Sequence, residues 1–371
     1  MLFVVFLPAA IVSALISRRL CAGTSAARIY GGLLGALVLS VGITAVWFLH
    51  RFVSLERANI WQMMTLAFQD ACLTFPLLFL GLYWIFMSVR RDRKPSPRGA
   101  LPMLTCAAML WVALSLLTLG VYASRIEPNW IEVTNIEIRT PHLKAGAPPL
   151  RIVHLSDLHI DEFGYREKRA LEIVKRLDPD IIVLTGDYTN FWERYPDVQR
   201  FMKGLHARYG VYAVHGNWHM GPRAAKFFEG TRVKLLHYET EVIRTRSGRI
   251  VVAGVPWYGV REAGSVVARE NTRNSCVILL SHIPDAALYA PPSVDLVLAG
   301  HTHGGQVRLP GVGPVETFSE VGRDRSAGLS RLANGGWLYV NRGLGMEGGR
   351  APRIRFLCRP EITVLTIRPG E

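Results

Sequence analysis

The stretch Asp295-Leu-Val-Leu-Ala-Gly-His-Thr-His-Gly-Gly-Gln306 places two histidines directly after a short apolar run. Its four apolar residues, 296–299, predict a buried strand, and Gly300 ends that strand. His301 and His303 follow between glycines, which suits a close approach of two imidazoles to a pair of metal ions. Histidines are more often core or surface residues than ligands, so the importance of this stretch depends on how many similar strand ends precede it.

The chain consists of two parts with different compositions. It has 371 residues and a formal net charge of +14, but its first 124 residues contain only ten Lys or Arg and three Asp or Glu. The 247 residues from Arg125 onward resemble an ordinary soluble α/β domain in composition and are long enough to bury a full core. Their net charge of +7 is diffuse, which favours an anionic substrate or lipid surface and makes nucleic acid an unexpected partner. The five cysteines show neither zinc-finger spacing nor a disulfide framework.

Four apolar segments predict a four-helix transmembrane region at residues 2–17, 29–49, 71–89 and 101–124. A helix needs about 20 apolar residues to cross the bilayer core, a length that the second and fourth segments exceed and the third approaches. The first segment is short and no basic residues precede it, so it does not resemble a cleavable signal peptide. A buried helical bundle is the alternative, and the scarcity of charges disfavours it.

The loops between these segments predict the orientation of the chain. The second loop carries only Arg51 and Arg57, whereas the first and third are more basic, with Arg18, Arg19, Arg28 and with Arg90, Arg91, Arg93, Lys94, Arg98. Positively charged loops remain in the cytoplasm. The pattern therefore predicts a multi-pass protein of the inner (cell) membrane whose C-terminal domain is extracytoplasmic. Residues 125–149 would form a linker and an edge strand, and residues 150–371 the soluble domain.

Apolar runs in the soluble domain end repeatedly in oxygen or imidazole donors. We predict strands over 150–156, 180–185, 211–215 and 277–280, and helices over 165–177 and 196–209. Ligands of α/β sheets gather at the carboxyl ends of the strands. The side chains at these ends are Asp157, His159, Asp187, Asn217 and His282, followed by His301 and His303.

Each of these donors has a structural explanation when it is considered alone. Asp157 could cap the segment that follows it, and Asp187 could form an Asx-turn. Asn217 could be a left-handed turn residue, and His282 could be a histidine of the core. Five coincidences at the same strand ends are less plausible than one shared site, so the joint pattern favours a metal centre.

The motifs Asp157-Leu-His159, Gly186-Asp187, Gly216-Asn217, His282 and Gly300-His-Thr-His303 resemble, in this order, those of the calcineurin-like metallophosphoesterases. The resemblance covers residues 151–306, and residues 339–367 are similar to the closing strands of the same fold. Within the family, the chain is most similar to the membrane-attached bacterial phosphodiesterases. The resemblance implies an α/β fold of four layers (αββα), in which a two-sheet β-sandwich is flanked by helices and carries two metals at its loop ends.

The resemblance also implies a ligand set for two divalent ions, either Mn²⁺, Fe or Zn²⁺, which mixed oxygen and nitrogen donors suit equally. Asp187 would bridge the two ions, and Asp187 and Asn217 would be catalytic as well as ligands. The first ion would take Asp157, His159, Asp187 and His303, and the second would take Asp187, Asn217, His282 and His301. Such a pair activates a water for attack on a phosphate ester, so a nucleophilic Ser or Cys is not required.

One position departs from the family pattern. Many members have a histidine directly after the asparagine, where this chain has Trp218 and then His219. An indole does not donate a proton to a leaving group at neutral pH. His219 is therefore the candidate catalytic acid, unless the substrate has a leaving group that needs no acid or the site only binds metal. Arg342, after the strand predicted over 337–340, is a candidate substrate-binding residue, with a surface arginine as the alternative.

These patterns predict a membrane-anchored phosphodiesterase that acts on a lipid-linked or envelope phosphate ester. The alternative is the same chemistry on a nucleotide-sugar lipid pyrophosphate at the cytoplasmic face, as in UDP-diacylglucosamine hydrolases of this superfamily. A second alternative is a membrane protein whose metal domain is catalytically weak and only binds a ligand.

Overall fold

Two mixed β-sheets form the centre of the computed structural model, which describes residues 118–218, 222–314, 316–347 and 353–370. The first three predicted spans and most of the fourth lie outside these residues. Within the described ranges, no helix has the length and apolar character that crossing a bilayer requires. The residues from Ala123 onward form one compact unit.

Helices and strands alternate along the first half of this unit and give way to closely spaced strands in the second. Among the described residues of this unit, the α-helices are α1 (Tyr165–Leu177), α2 (Tyr195–Lys203) and α3 (Ala263–Val267). Their strands are β1 (Glu132–Thr140), β2 (Leu150–Leu155), β3 (Ile181–Leu184), β4 (Val211–Ala213), β5 (Val233–Leu235), β6 (Glu239–Thr245), β7 (Gly248–Gly254), β8 (Ser275–Leu280), β9 (Leu296–Ala299), β10 (Arg308–Leu309), β11 (Gly313–Pro314), β12 (Gly328–Arg331), β13 (Trp337–Val340) and β14 (Glu361–Pro369).

The first six-stranded sheet has the order β1-β14-β2-β3-β4-β5. Strands β2 to β5 are parallel, so their carboxyl ends share one edge. β14 runs antiparallel to β2 and brings the C-terminal end of the domain into the middle of the sheet. β1 completes the edge as a parallel partner of β14, in the register Glu132 to Glu361.

The second sheet has the order β12-β13-β9-β8-β7-β6. Its four central strands, β13, β9, β8 and β7, are parallel, and the antiparallel strands β12 and β6 cover the two edges. The carboxyl ends of β8 and β9 therefore lie next to each other, as do those of β2, β3 and β4 in the first sheet.

The sandwich interior consists of β-branched and leucine side chains that project from both sheets. Ile152 and Val183 of the first sheet pack with Ile250, Ile278 and Leu298 of the second, and all five are fully buried. Burial of such side chains stabilises the fold by about 1.5–3 kcal/mol each. The outer face of the first sheet packs against α1 and α2, and that of the second packs against α3. The order of layers is therefore helix, sheet, sheet, helix, and the predicted α/β fold with two mixed sheets is confirmed.

Local chemistry explains the bounds of the helices. α1 begins after Gly164, whose N–H donates to the Glu167 carboxylate at 3.0 Å, and it ends at Asp178 in a left-handed conformation (φ 44°) before Pro179. α2 is shorter than the predicted 196–209, because it ends at Gly204. A Cβ at Gly204 would lie 2.7 Å from Leu171 Cδ1, so close packing against α1 accounts for the glycine that stops the helix.

Candidate metal centre

The carboxyl ends of five strands bring the predicted donors into one place. Asp157 and His159 follow β2, Asp187 follows β3, and Asn217 follows β4. The second sheet supplies His282 after β8 and, after β9, His301 and His303. Their donor atoms form two groups within which all lie less than 4.8 Å apart, the first Asp157, His159 and His303, and the second Asp187, His282 and His301.

The first group is closed by two imidazoles that face each other. The Nε2 atoms of His159 and His303 are 3.2 Å apart, and His303 Nε2 lies 3.4 Å from Asp157 Oδ1. The three side chains are almost completely buried. Asp187 Oδ2 is 3.8 Å from His159 Nε2, so the Asp187 carboxylate, which belongs to the second group, also lies close to the first group.

The second group is arranged around His282. Its Nε2 lies 3.1 Å from Asp187 Oδ2, 3.1 Å from His301 Nδ1 and 2.7 Å from Asn217 Oδ1. Asn217 therefore joins this group with its amide oxygen. Asp187 Oδ2 lies within 4 Å of histidine nitrogens of both groups, which is the position that a bridging ligand needs.

Two further groups orient the histidines, and sequence reasoning did not identify them. His282 Nδ1 donates to the Thr185 carbonyl at 2.7 Å, and His159 Nδ1 lies 2.9 Å from Asn190 Oδ1. The Asn190 amide nitrogen is engaged by Asp161 Oδ1 at 3.0 Å, which leaves its oxygen for the imidazole. Because a carbonyl or amide oxygen can only accept, Nδ1 carries a hydrogen in both rings, and Nε2 is the nitrogen that faces the centre.

The protonation states of these histidines suit the binding of a cation. Burial lowers the pKa of His159 to about 3 and that of His301 to about 4, and it also lowers the pKa of His303, so these rings are neutral. The Nε2 atoms of the neutral His159 and His303 rings face each other at 3.2 Å, and two lone pairs at this distance repel unless a proton or a cation lies between them. Burial opposes a charge on His282, but the Asp187 carboxylate outweighs it and raises the pKa of His282 to about 9. This proton occupies a place that a divalent cation would take.

A family model described as calcineurin-like phosphoesterase matches residues 150–305. The uncharacterized metallophosphoesterase YkuE of Bacillus subtilis (strain 168) is 32% identical over 261 residues, which cover 67% of this chain and 89% of that protein. The chain belongs to the calcineurin-like metallophosphoesterases.

Two further relatives carry enzyme names. The phosphodiesterase YaeI of Escherichia coli (strain K12) is 31% identical over 266 residues, covering 66% of this chain and 92% of that protein. The UDP-2,3-diacylglucosamine pyrophosphatase LpxG of Chlamydia muridarum is 26% identical over 321 residues, covering 68% of this chain and 94% of that protein. This metallophosphoesterase is therefore a metal-dependent phosphoester hydrolase.

Five of the candidate ligands have left-handed backbone conformations, with φ of 48° at Asp157, 39° at His159, 51° at Asp187, 70° at His301 and 50° at His303. This conformation costs a residue with a Cβ about 1–2 kcal/mol. Backbone hydrogen bonds hold it, because Asp157 N donates to Gly186 O and His159 N donates to Asp187 O. Strain of this kind concentrates at functional sites, where the fold enforces a side-chain direction.

Glycines let the strand ends approach the carboxylates. A Cβ on Gly216 would lie 2.0 Å from Asp187 Oδ1, and one on Gly300 would lie 1.8 Å from Ser156 Oγ and 2.2 Å from Asp157 Oδ2. In place of a side chain, a backbone N–H one or two residues after each glycine binds the carboxylate. His301 N donates to both Asp157 oxygens at 3.0–3.1 Å, and Trp218 N donates to Asp187 Oδ1 at 3.0 Å.

A buried arginine fixes the loop that packs against Asp157. The Arg355 guanidinium is fully buried and donates to the carbonyls of Arg342, Gly343, Gly345 and Cys358 at 2.6–3.0 Å. Gly345 N in turn donates to Asp157 O at 2.7 Å. Arg355 thus holds one wall of the centre, although neither its spacing nor its neighbours in the sequence indicate this role.

The roles predicted for His219 and Arg342 are not tested by the structure. His219 lies outside the described residues, so its role as catalytic acid stays a prediction. Arg342 Nη2 donates to Glu361 Oε1 at 3.2 Å and to Glu132 Oε2 at 3.1 Å, and its substrate-binding role also stays a prediction. The Trp218 indole lies edge-to-face against His159, with ring centroids 6.0 Å apart.

Glu347 is a carboxyl near the centre that sequence reasoning missed. The Trp218 indole donates a hydrogen bond to it, and Glu347 N donates to Gln306 Oε1 at 2.8 Å. Burial, together with the charges of Asp187 and Asp157, raises the pKa of Glu347 to about 7. A glutamate in a loop after a strand carries no sequence pattern that would reveal such a position.

Gly216→Ala should remove the metal, because the added methyl group would lie 2.0 Å from Asp187 Oδ1 and 2.4 Å from Asp187 N and therefore displaces this residue from the centre. We expect a loss of metal affinity of at least about 100-fold, measured by elemental analysis of the purified full chain with an unchanged circular dichroism spectrum. Gly264→Ala is the matched control, since its Cβ meets no atom closer than 3.9 Å. Equal metal contents in both variants would contradict the assignment of Asp187 as a ligand.

Proposed function

We propose that this protein is a membrane-anchored dinuclear-metal phosphohydrolase that works as a phosphodiesterase on a lipid-linked or envelope phosphate ester. The observation that carries the proposal is the pair of buried donor groups that share Asp187. Asp157, His159, Asp187 and His303 would hold the first divalent ion, and Asp187, Asn217, His282 and His301 the second. The mixed oxygen and nitrogen donors suit Mn²⁺, Fe or Zn²⁺.

Two bound ions would supply an activated water and charge neutralisation for the phosphoryl oxygens. The chain's own residues provide positioning. Asp187 holds its carboxylate between the two groups, and Trp218 N and the hydrogen-bonded tautomers of His159 and His282 fix the donor directions. The two cysteines of the described residues, Cys276 and Cys358, are unsuited to a covalent route, because both are buried and burial raises the pKa of their thiols.

Membrane association is supported by the apolar segments of residues 1–124 and by the similarity to LpxG, whose named substrate carries two acyl groups. We propose that the chain is a multi-pass protein of the cell membrane and that its catalytic domain is extracytoplasmic, as the basic first and third loops predict.

A second candidate function is hydrolysis of a UDP-diacylglucosamine-type pyrophosphate at the cytoplasmic face, which the similarity to LpxG favours. A third is a catalytically weak, metal-binding membrane protein, which the presence of Trp218 in place of the family's histidine favours.

The phosphodiesterase activity is tested by hydrolysis of bis(p-nitrophenyl) phosphate by the full chain with Mn²⁺. Asp187→Asn should lower kcat/KM by about 10³-fold, because an amide lacks the second anionic oxygen that a bridging ligand provides. Asp178→Asn is the control, since Asp178 is exposed at the C-terminal end of α1 in a conformation that asparagine adopts equally well. Equal rates for the two variants would refute the proposed chemistry.

The identity of the leaving-group acid is tested with two substrates. His219→Ala should lower the rate on an alkyl phosphodiester by about 10²- to 10³-fold and spare bis(p-nitrophenyl) phosphate, whose leaving group needs no proton. Glu347→Gln is the comparison variant, because Glu347 is the titratable carboxyl bonded to Trp218. A selective loss in Glu347→Gln with His219→Ala unaffected would overturn the role of His219.

The two candidate compartments are separated by a C-terminal fusion to a reporter that is active only after export. We expect reporter activity comparable with that of an exported control, because the basic loops place the C-terminal domain outside the cytoplasm. A fusion that is inactive, while a cytoplasmic reporter at the same position is active, would exclude the extracytoplasmic phosphodiesterase and favour the pyrophosphate hydrolase.

A further inference from the structure

Large apolar side chains are exposed around the metal centre. Ile126 is 50% exposed, Trp130 49%, Leu309 45%, Val312 63%, Phe318 44% and Leu357 49%. We call these six residues the apolar rim. Single exposed apolar residues are common on soluble proteins, but a group of them on adjoining segments marks an interaction surface.

Hydrogen bonds show that three segments of the rim adjoin each other. Phe356 N donates to Gln306 O at 3.1 Å and Arg308 N donates to Phe356 O at 2.9 Å, which joins the segment of Leu357 to the β10–β11 hairpin that carries Leu309 and Val312. Leu357 N donates to Glu127 Oε2 at 2.9 Å, which joins it to the segment of Ile126 and Trp130.

The rim also borders the metal centre. The Cys358 thiol donates to His303 O at 3.2 Å, one residue away from Leu357. The backbone of Phe318 forms a hydrogen bond with the His301 side chain. The exposed apolar surface therefore lies beside two of the candidate ligands.

Two residues of the rim combine a left-handed backbone conformation with an exposed side chain. Leu357 has φ 52° and Phe318 has φ 50°. A bulky residue with positive φ is uncommon and costs free energy, and both side chains also remain largely in water. Burial of these side chains in an apolar partner would offset that cost.

Charge and chain connectivity specify the partner. The Arg359 guanidinium lies 3.6 Å from the centroid of the Trp130 ring, and Arg125 and Arg308 are neighbours of the rim in the chain. Tryptophan with arginine is the combination found at the headgroup level of bilayers, where the cation meets anionic lipid. Ala123, whose carbonyl accepts from Arg355 N at 2.9 Å, lies three residues before Ile126 of the rim and six residues after the mostly apolar residues 1–117.

We propose that the apolar rim docks on the surface of an anionic lipid bilayer and holds the metal centre at the level of the headgroups. The phosphoester that reaches the centre is then a lipid of the same bilayer. This substrate class rests on the proposed phosphohydrolase function, whereas docking itself does not.

Docking is tested with the full chain in nanodiscs that contain phosphatidylglycerol and a phospholipid with a photoreactive diazirine in its acyl chain. After illumination, mass spectrometry should find lipid adducts on residues 309–312 and on Leu357, with at least about tenfold fewer on Leu288 and Tyr165. These two controls are 54% and 68% exposed and lie outside the rim. Adducts confined to residues 1–117, or protein–protein cross-links through Leu357 that show a second copy as the partner, would overturn the proposal.

The consequence for the substrate is tested with Leu357→Asn, since asparagine adopts positive φ more readily than leucine and preserves the backbone. This variant should cleave a diacylglycerol p-nitrophenyl phosphodiester in the nanodisc about tenfold more slowly than the wild type. A factor of this size corresponds to the loss of one leucine side chain that would be buried in the bilayer. Its rate on soluble bis(p-nitrophenyl) phosphate should not change. Leu288→Asn should affect neither rate.

The outcomes separate the two proposals. Wild-type protein that cleaves neither substrate would refute the phosphodiesterase function, and the lipid adducts alone would then decide docking. Equal loss of both activities in Leu357→Asn, or no loss of either, would contradict a role of the rim in delivering the substrate from the bilayer.

Discussion

The buried carboxylate of Asp187 is the constraint on which the rest of the domain depends. It lies within 4 Å of imidazole nitrogens from two different sheets, with almost no contact to solvent. Burying a carboxylate is costly unless opposite charge and hydrogen-bond donors surround it. One backbone N–H and a protonated His282 provide part of this compensation, and the facing nitrogens of the neutral histidines show where positive charge belongs. The arrangement is a candidate site for divalent cations.

The sandwich serves this centre by bringing strand ends together. Parallel strands in each sheet deliver their following residues to the same edge, and packing of the two apolar faces sets the separation between the two sets. Glycines at positions 216 and 300 remove the side chains that would prevent the approach. The Arg355 guanidinium then fixes the wall beside Asp157 with bonds to backbone carbonyls. These residues serve both stability and function, because the contacts that pack the strand ends together also fix the directions of the candidate ligands.

The sequence predicted those features that depend on local pattern. Apolar runs followed by Asp157, Asp187 or His301 mark strands and their carboxyl ends, and the glycines beside them mark close approach, so the fold class, the family and the convergence of the donors could be predicted. Asn190 and Glu347 escaped detection because their roles depend on contacts with residues distant in sequence, His159 in one case and Trp218 in the other. The role of Arg355 could not be predicted for the same reason, because its guanidinium binds backbone carbonyls and no sequence motif marks such an arginine. The end of α2 was misplaced because the packing of Gly204 against Leu171 is a tertiary contact.

The central claim is that Asp187 joins two metal ions in one site. Electron paramagnetic resonance of the full chain loaded with Mn²⁺, combined with elemental analysis, measures this directly. Two ions per chain with the spectrum of an exchange-coupled pair, about 3.5–4 Å apart, is the result that the structure predicts, and Asp187→Asn should remove the coupling. One isolated ion per chain, or a coupled spectrum that survives this substitution, would contradict it.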